Sequence, residues 1–460
     1  MRFDEFDKLR VGLLGMGREG QAVWHELRRR FPEKPLAIFT ESALDGDIAL
    51  QLIPGLDSHY LGPLERADLA PFDVLVRSAG ISPYREPLIA STARGTRITT
   101  ATNLWFAENP GARTICISGT AGKSTTSTLL AHLLGEAGLN ASLAGNIGQP
   151  MLGFDAGGTD WWVIELSSYQ ITDFDGRPDL ALLLNISQEH LDWHRGFEAY
   201  VHDKLRLAKV AGEGRVIANF EDRLLRRRLE RQRGVHWFNH PRSWRVAGNE
   251  VVSPAGRCVR APESLPGHHN LHNLAAVLAV LDRLQIEMPD IGGALAAFQG
   301  LPHRLQPIGR KDGVRYVNDS ISTTPVTVAA ALETIGHRGV VLILGGMDRG
   351  LDWDSFAAGL AEYLPHAIVA LPDNGPKILA SLERAGMQPA GGLHRAGDLE
   401  QAVALARELV PAGGTILLSP GAPSFPYFRN FEERGERFVE LAGIEKGARS
   451  AHKKEPRDRG

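Results

Sequence analysis

Short apolar runs, each ending in a glycine or a polar turn, recur along this chain, and that rhythm predicts a parallel α/β fold. Val11-Gly12-Leu13-Leu14 leads through Gly15-Met16-Gly17-Arg18-Glu19-Gly20 into a segment with Val23, Trp24 and Leu27 at helical spacing. A brief apolar run bounded by turn residues reads as a buried strand, and apolar positions three and four apart read as one helix face. Leu36-Ala37-Ile38-Phe39 and Asp73-Val74-Leu75-Val76 continue the alternation, and Glu108-Asn109-Pro110-Gly111 reads as a linker. A second block carries the runs Thr114-Ile115-Cys116-Ile117-Ser118, Trp162-Val163-Ile164 and Leu182-Leu183-Leu184, and ends near Leu301-Pro302-His303. Inside it, 221–265 alternates charges with short runs around Trp237, Trp244 and Val251-Val252, a pattern of strands and connectors. A third block has two strands that end in glycine or serine, at 340–346 and 415–419. Alternating strands and helices of this kind predict parallel sheets with ligands at the strands' carboxyl ends.

Composition narrows the class. A chain of 460 residues suggests about three domains. Hydrophobic content of 43% and charged content of 23% are ordinary for a globular protein, and a net charge of −3 gives no reason to expect nucleic acid as a partner. Two cysteines, Cys116 and Cys258, are too few for a disulfide framework or a cysteine-rich zinc site, which suits the cytosol. The first residues are acidic where a signal peptide would be basic, and no apolar stretch reaches membrane-spanning length. A cytoplasmic protein without membrane insertion is expected. Residues 446–460 lack apolar groups and are mildly basic, so a disordered tail is expected there, with an interaction peptide as the alternative.

The chemistry concentrates at Gly119-Thr120-Ala121-Gly122-Lys123-Ser124-Thr125, which follows a buried strand and opens a helix. A glycine turn at a helix N-terminus aims several backbone N–H groups and a lysine at one anion, and Ser124 is placed to hold Mg²⁺ on nucleotide phosphates. Only two residues separate the glycines, so this is a variant of the usual four-residue spacing. Nucleoside triphosphate binding is the expectation. Glu165 ends a strand, where a carboxylate can take a second position on that metal. His190 follows another strand and is either a metal ligand or a locally hydrogen-bonded histidine, whereas Lys204 on its own looks like a solvated helix lysine. Asn270 and Asn273 open an Ala/Leu-rich helix, as caps or as adenine partners. Gly15-x-Gly17-x-x-Gly20 fits a pyrophosphate or tight packing, with Glu41 as a candidate ribose-binding acid and Arg77-Ser78-Ala79-Gly80 facing the same crevice.

In order along the chain, these positions resemble the Mur ligases. The phosphate loop, Gly145-Asn146-Ile147-Gly148, Glu165-Leu166-Ser167-Ser168, His190-x-Asp192, Lys204, His269-Asn270-x-x-Asn273, His303-Arg304, Asn318-Asp319-Ser320, Gly345-Gly346, Leu418-Ser419-Pro420 and Asn430-Phe431-x-x-Arg434-Gly435 carry the resemblance. It implies a Rossmann-like UDP-binding domain over 1–110, a central ATPase-like domain over 111–304 and a Rossmann-like amino-acid domain over 305–445, before the 446–460 tail. It also implies ATP and two Mg²⁺ ions, with CO₂ held as a carbamate on Lys204. In that scheme Lys123, His190 and Lys204 are catalytic, and Ser124, Glu165, His190 and carbamylated Lys204 hold metal. The loop Gly119, Thr120, Ala121, Gly122, Lys123, Ser124 and Thr125 binds ATP together with Asn273, Arg304 and Asp319, and closure of the domains on the nucleotide is implied. Gly15, Met16, Gly17, Arg18, Ser78 and Asn146 would meet the UDP substrate, and Thr323, Arg349, Ser424 and Phe431 the amino acid.

Within the family the motifs resemble the branch that attaches glutamate to UDP-N-acetylmuramoyl-L-alanine, acting as a monomer in peptidoglycan synthesis. One departure stands out. After Asn318-Asp319-Ser320 the usual Lys-Ala-Thr-Asn is replaced by Ile321-Ser322-Thr323-Thr324, so a charged donor becomes an apolar branched chain. That points to an L-glutamate acceptor, inverted later by a separate epimerase, with D-glutamate as the alternative. A binding protein that has lost catalysis is the more distant alternative, and it would be expected to lack Lys123, Glu165 or Lys204, all of which are present.

Overall fold

A computed structural model of the chain describes residues 1–44, 46–147, 150–153 and 157–444. Gly148 of the Gly145-Asn146-Ile147-Gly148 turn, residue 445 and the expected tail at 446–460 lie outside the described residues. The chain divides into two compact units, Met1–Pro262 with His268–Phe298, and Glu263–Gly267 with the residues from Gln299 onward.

The first unit contains two parallel sheets. One has five strands in the order Asp57–Leu61, Leu36–Thr40, Val11–Leu14, Val74–Arg77, Arg97–Thr99. Val11–Leu14 is the central strand, paired with its neighbours on both sides and buried throughout, because helices cover both faces of a parallel sheet. Gly15 and Ser78 therefore leave adjacent strands at the point where the strand order reverses. The second sheet has six strands, in the order Val235–Phe238, Val216–Asn219, Leu180–Leu183, Thr114–Ser118, Trp161–Glu165, Ala141–Gly145. Its central strand Thr114–Ser118 delivers the phosphate loop, with the ends of Leu180–Leu183 and Trp161–Glu165 on either side. A continuous core joins the two sheets, with Trp105 against Trp162 at 4.7 Å between ring centroids.

The 221–265 segment departs from its expected reading. Arg223–Leu229 is a helix, because Asp222 accepts from the backbone N–H groups of Leu224 and Leu225 and because Leu225 and Leu229, four apart, are both buried. Strand Val235–Phe238 and a three-stranded antiparallel sheet of Arg245–Ala247, Glu250–Val252 and Cys258–Val259 follow. The polar edge strand Asp57–Leu61 carries no apolar alternation that would have announced it.

The second unit is built on one six-stranded sheet ordered Gln306–Lys311, Val314–Asn318, Thr415–Leu418, Val340–Leu344, Ala367–Ala370, Leu393–Arg395, with only the first strand antiparallel. Val340, Leu342 and Leu344 pack into a core on one face, and Val341 and Ile343 into a core on the other. The carboxyl ends of its central strands carry Asp319, Ser419 and Gly345.

Candidate active site

The phosphate loop is braced from behind. Asn185, just past strand Leu180–Leu183, exchanges two hydrogen bonds with Ala121, accepting from its N–H at 2.8 Å and donating to its carbonyl at 3.0 Å. Thr120 bonds Ser187 on both sides of its hydroxyl and meets the Tyr200 hydroxyl at 2.8 Å. Gly122 has φ of +83°, and a Cβ there would fall 2.4 Å from Oδ1 of Asn273. The loop thus needs glycine twice over, for its left-handed backbone and for the approach of that asparagine. Asn273 is held in place by donating to Oδ1 of Asn270 at 2.9 Å, so its first role in the structure is to back the loop.

Around this loop the predicted metal-side residues gather. Lys123 Nζ donates to the carbonyls of Gly119 and Thr120 at 3.0 and 2.9 Å, and Lys204 Nζ donates to the same Gly119 carbonyl at 2.9 Å. Lys204 is no surface lysine; it is only 1% exposed. Burial, then the nearby Lys123 ammonium, pull its pKa down to about 7. Glu165 is equally buried, takes a hydrogen bond from Asn146 Nδ2 at 2.7 Å on one oxygen, and among the described residues has no donor on the other. A buried carboxylate oxygen left bare is costly unless a cation meets it. Ser124 stands in the first turn of helix Lys123–Glu136. His190, in a left-handed backbone at φ 54°, lies 4.8 Å from the Tyr169 ring. Burial lowers its pKa, with Lys204 and Lys123 acting in the same direction, so it stands within the field of both lysines. The imidazole is exposed, with Nε2 at 3.6 Å from Glu189 Oε2, and a ring nitrogen open to solvent suits a metal. Among the described residues no three or more His, Cys, Asp or Glu side chains group as a metal site. The donor set still fits Mg²⁺, which takes one or two protein carboxylates and completes its shell from phosphate and water.

In the first sheet, Ser78 Oγ donates to the Gly15 carbonyl at 3.1 Å, and a Cβ on Gly20 would fall 2.1 Å from that same carbonyl. Gly15 and Gly20 are packing glycines, whereas Gly17 has open space where its side chain would be. The Met16 side chain is buried in the core and Arg18 is exposed. Two expectations change here. Glu41 is already partnered: it pairs with Arg85 at 2.7 Å and accepts from Leu64 N–H. Arg77 is fully buried, pairs with Asp173 at 2.9 Å and donates to the carbonyls of Ser78, Ala79 and Ile81, a strut and not a ligand contact.

In the second unit, Asp319 is turned inward. Its carboxylate accepts from Ser322 Oγ at 2.5 Å, Ser419 Oγ at 2.8 Å and Leu305 N–H at 3.0 Å, tying two strand ends together. Burial raises its pKa to about 6, against the pull of those three donors. Arg304 and Arg349 are exposed, Thr323 and Phe431 are half-buried and Ser424 is buried. Arg434, 1% exposed, donates to Ser320 Oγ and to the carbonyls of Ser320 and Ala422 at 2.8–3.0 Å. These acceptors are all neutral oxygens, and burial draws its pKa down to about 10.

Sequence reasoning missed Asn185, His194, Asp203 and Tyr84, which support the site from behind. Two of them adjoin motifs that were legible, His194 four places after His190 and Asp203 directly before Lys204.

The family models place this geometry. Residues 117–281 match the Mur ligase middle domain, and 303–421 match the Mur ligase, glutamate ligase domain. The chain is 43% identical over 467 residues to a UDP-N-acetylmuramoyl-L-alanine–L-glutamate ligase of Xanthomonas campestris pv. campestris (strain 8004), covering 98% of each. It is 36% identical over 458 residues to the Salinispora tropica protein of the same name, covering 96% of this chain and 98% of that one. Among solved structures it shares the fold of MurF from Acinetobacter baumannii, with TM-score 0.60, 16% identity and coverage of 94% and 93%. It also shares that of MurC from Thermotoga maritima, with TM-score 0.58, 17% identity and coverage of 94% and 98%. With a braced phosphate loop, a bare buried glutamate, a buried lysine beside it and likeness along nearly the whole length, the chain belongs to the Mur ligase family.

Proposed function

We propose that the protein joins L-glutamate to UDP-N-acetylmuramoyl-L-alanine at the expense of ATP. The observation that carries the reading is the convergence of Lys123 and Lys204 on the Gly119 carbonyl, within the field of Glu165. That arrangement suits a nucleotide's terminal phosphate and two metal ions. The L-alanyl carboxylate attacks the γ-phosphorus, giving an acyl phosphate and ADP. The amine of glutamate then attacks the acyl carbon, the amide forms, and phosphate leaves with the shared oxygen. Two anions must approach in the first step, so Lys123 offsets charge on the phosphate side. Ser124 and Glu165 would hold one Mg²⁺, and His190 with Lys204 as its carbamate a second; the ions would neutralise phosphate charge. An unmodified Lys204 ammonium would repel metal, whereas its lowered pKa leaves a share of neutral amine at neutral pH, the form that reacts with CO₂.

The open face of Gly17 and the Ser78 hydroxyl suit the diphosphate of the UDP substrate, and Asn146 would reach it from beside Glu165. Arg349 is the exposed cation for a glutamate carboxylate, with Thr323, Ser424 and Phe431 as neighbours in the acceptor site. Arg304 would contact ATP, and Asp319 would act by holding strand ends in place. The L-acceptor is supported by Ile321 in place of a lysine and by the names of the full-length relatives. The product would then need a separate epimerase before D-glutamate chemistry continues. Phosphate release with UDP-N-acetylmuramoyl-L-alanine, ATP and either glutamate enantiomer tests it. L-glutamate is expected to be preferred by at least about a hundredfold in kcat/KM, and a preference for D-glutamate would overturn the acceptor assignment.

A further inference from the structure

Behind the residues proposed to hold metal lies a buried chain of side chains that the phosphate chemistry does not use. His194, wholly buried, has Nδ1 at 2.7 Å from Asp203 Oδ2 and Nε2 at 3.0 Å from Ser168 Oγ. The Tyr84 hydroxyl lies 2.7 and 2.8 Å from the two Asp203 oxygens, and Thr172 Oγ1 adds a bond at 3.2 Å. A carboxylate only accepts, so His194 donates from Nδ1 to Asp203, while its Nε2 is paired with the Ser168 hydroxyl. Burial and the Asp203 carboxylate both raise the Tyr84 pKa, which keeps the phenol a donor.

Ser168, His194 and Asp203 share the residue types of a hydrolytic triad. With Ser168 and Asp203 no more exposed than 3%, no substrate reaches them, so they act on structure. Their positions in the chain say on what. Ser168 opens a helix three residues after Glu165, His194 ends the helical turn capped by His190, and Asp203 directly precedes Lys204 on helix Phe197–Ala211. On that helix, consecutive side chains point about 100° apart. Asp203 reaches back to Tyr84 while Lys204 reaches forward to the Gly119 carbonyl. The far end, Tyr84, belongs to the loop that follows strand Val74–Arg77 of the first sheet, the loop that starts with Ser78. The same loop grips Trp193 twice, through Ser82 Oγ to its carbonyl and through the Gly80 carbonyl to its Nε1, both at 2.9 Å.

We infer that Tyr84, Asp203, His194 and Ser168 form a positioning relay through which the substrate-side loop of the first sheet sets the geometry of Glu165, His190 and Lys204. Its functional part rests on the ATP–Mg²⁺ reading of those three residues. Binding of the UDP substrate against the Ser78 loop then tightens metal binding, and breaking the relay removes that coupling.

Mn²⁺ binding in the presence of a non-hydrolysable ATP analogue, followed by electron paramagnetic resonance, reads the metal site without turnover. Tyr84→Phe is expected to weaken Mn²⁺ binding roughly tenfold, the scale of one hydrogen bond to a charged group, and to abolish tightening by UDP-N-acetylmuramoyl-L-alanine. The thermal unfolding midpoint of this variant should fall only modestly, because Asp203 keeps His194 and Thr172 as partners. Asp203→Asn serves as a second break in the same chain. Asn103→Ala is the control, because it severs other bonds between the two sheets, to the Asp173 carbonyl and the Asp175 N–H, and leaves the relay intact. Wild-type Mn²⁺ affinity and coupling in both relay variants, or equal weakening in Asn103→Ala, would overturn the relay. Loss of Mn²⁺ coupling in a protein that joins no glutamate would support the relay while sinking the ligase reading. Ligase activity with relay variants that bind Mn²⁺ normally would do the reverse.

Discussion

Lys204 shows how far a residue's chemistry is set by its surroundings. On the sequence it is one lysine on a helix, and only its place in an ordered set of motifs distinguishes it. Nothing local in 200–209 announces that its head group is sealed beside a second lysine. Its pKa, near 7 in the fold against an ordinary 10.5, fixes a sign. Below pH 7 the ammonium is charged in both folded and unfolded chains, and the full burial penalty opposes folding. Between pH 7 and 10.5 the folded chain sheds a proton that the unfolded chain keeps, so this penalty is progressively relieved. The same titration controls CO₂ capture. With ¹³C-labelled bicarbonate, a carbamate resonance is expected to grow as pH rises through about 7 and to be absent in Lys204→Arg. A resonance that persists in the arginine variant would place the carbamate elsewhere.

At the scale of elements, the strands that carry the site were legible because parallel strands covered on both faces are apolar at successive positions. Val11–Leu14, Thr114–Ser118 and Val340–Leu344 are buried along their whole length. What escaped were elements held by something other than an apolar run. Asp57–Leu61 joins a sheet edge through its backbone, and Arg223–Leu229 is a helix because of one cap and two buried leucines among arginines. The glycine motif was legible as a motif, but the division of labour within it was not. Gly20 packs against the Gly15 carbonyl and Gly17 faces open space. Gly20→Ala should therefore cost about 1–3 kcal/mol in chemical denaturation and weaken UDP-substrate binding through a displaced loop. Gly17→Ala should leave stability nearly unchanged and raise the substrate KM. Equal stability losses for the two variants would contradict this division.

At the scale of the whole molecule, the second unit owns its core on both faces of its sheet. A fragment spanning 299–444 is expected to melt cooperatively on its own, with a sigmoidal circular dichroism transition; a gradual, featureless melt would refute that autonomy. Three blocks were readable from run length and motif order, whereas the union of two sheets in the first of two compact units was not. That merging depends on contacts between residues far apart in sequence, such as Arg77 with Asp173 and Trp105 with Trp162, and no local pattern encodes them. Arg434 has a consequence of its own. Its guanidinium stays protonated at neutral pH although only neutral oxygens surround it, so the Gly346 and Ala422 backbones overlie an uncancelled positive charge. A doubly anionic visitor there would feel that attraction less screened by mobile ions than at an exposed arginine, so added salt should weaken its capture only shallowly.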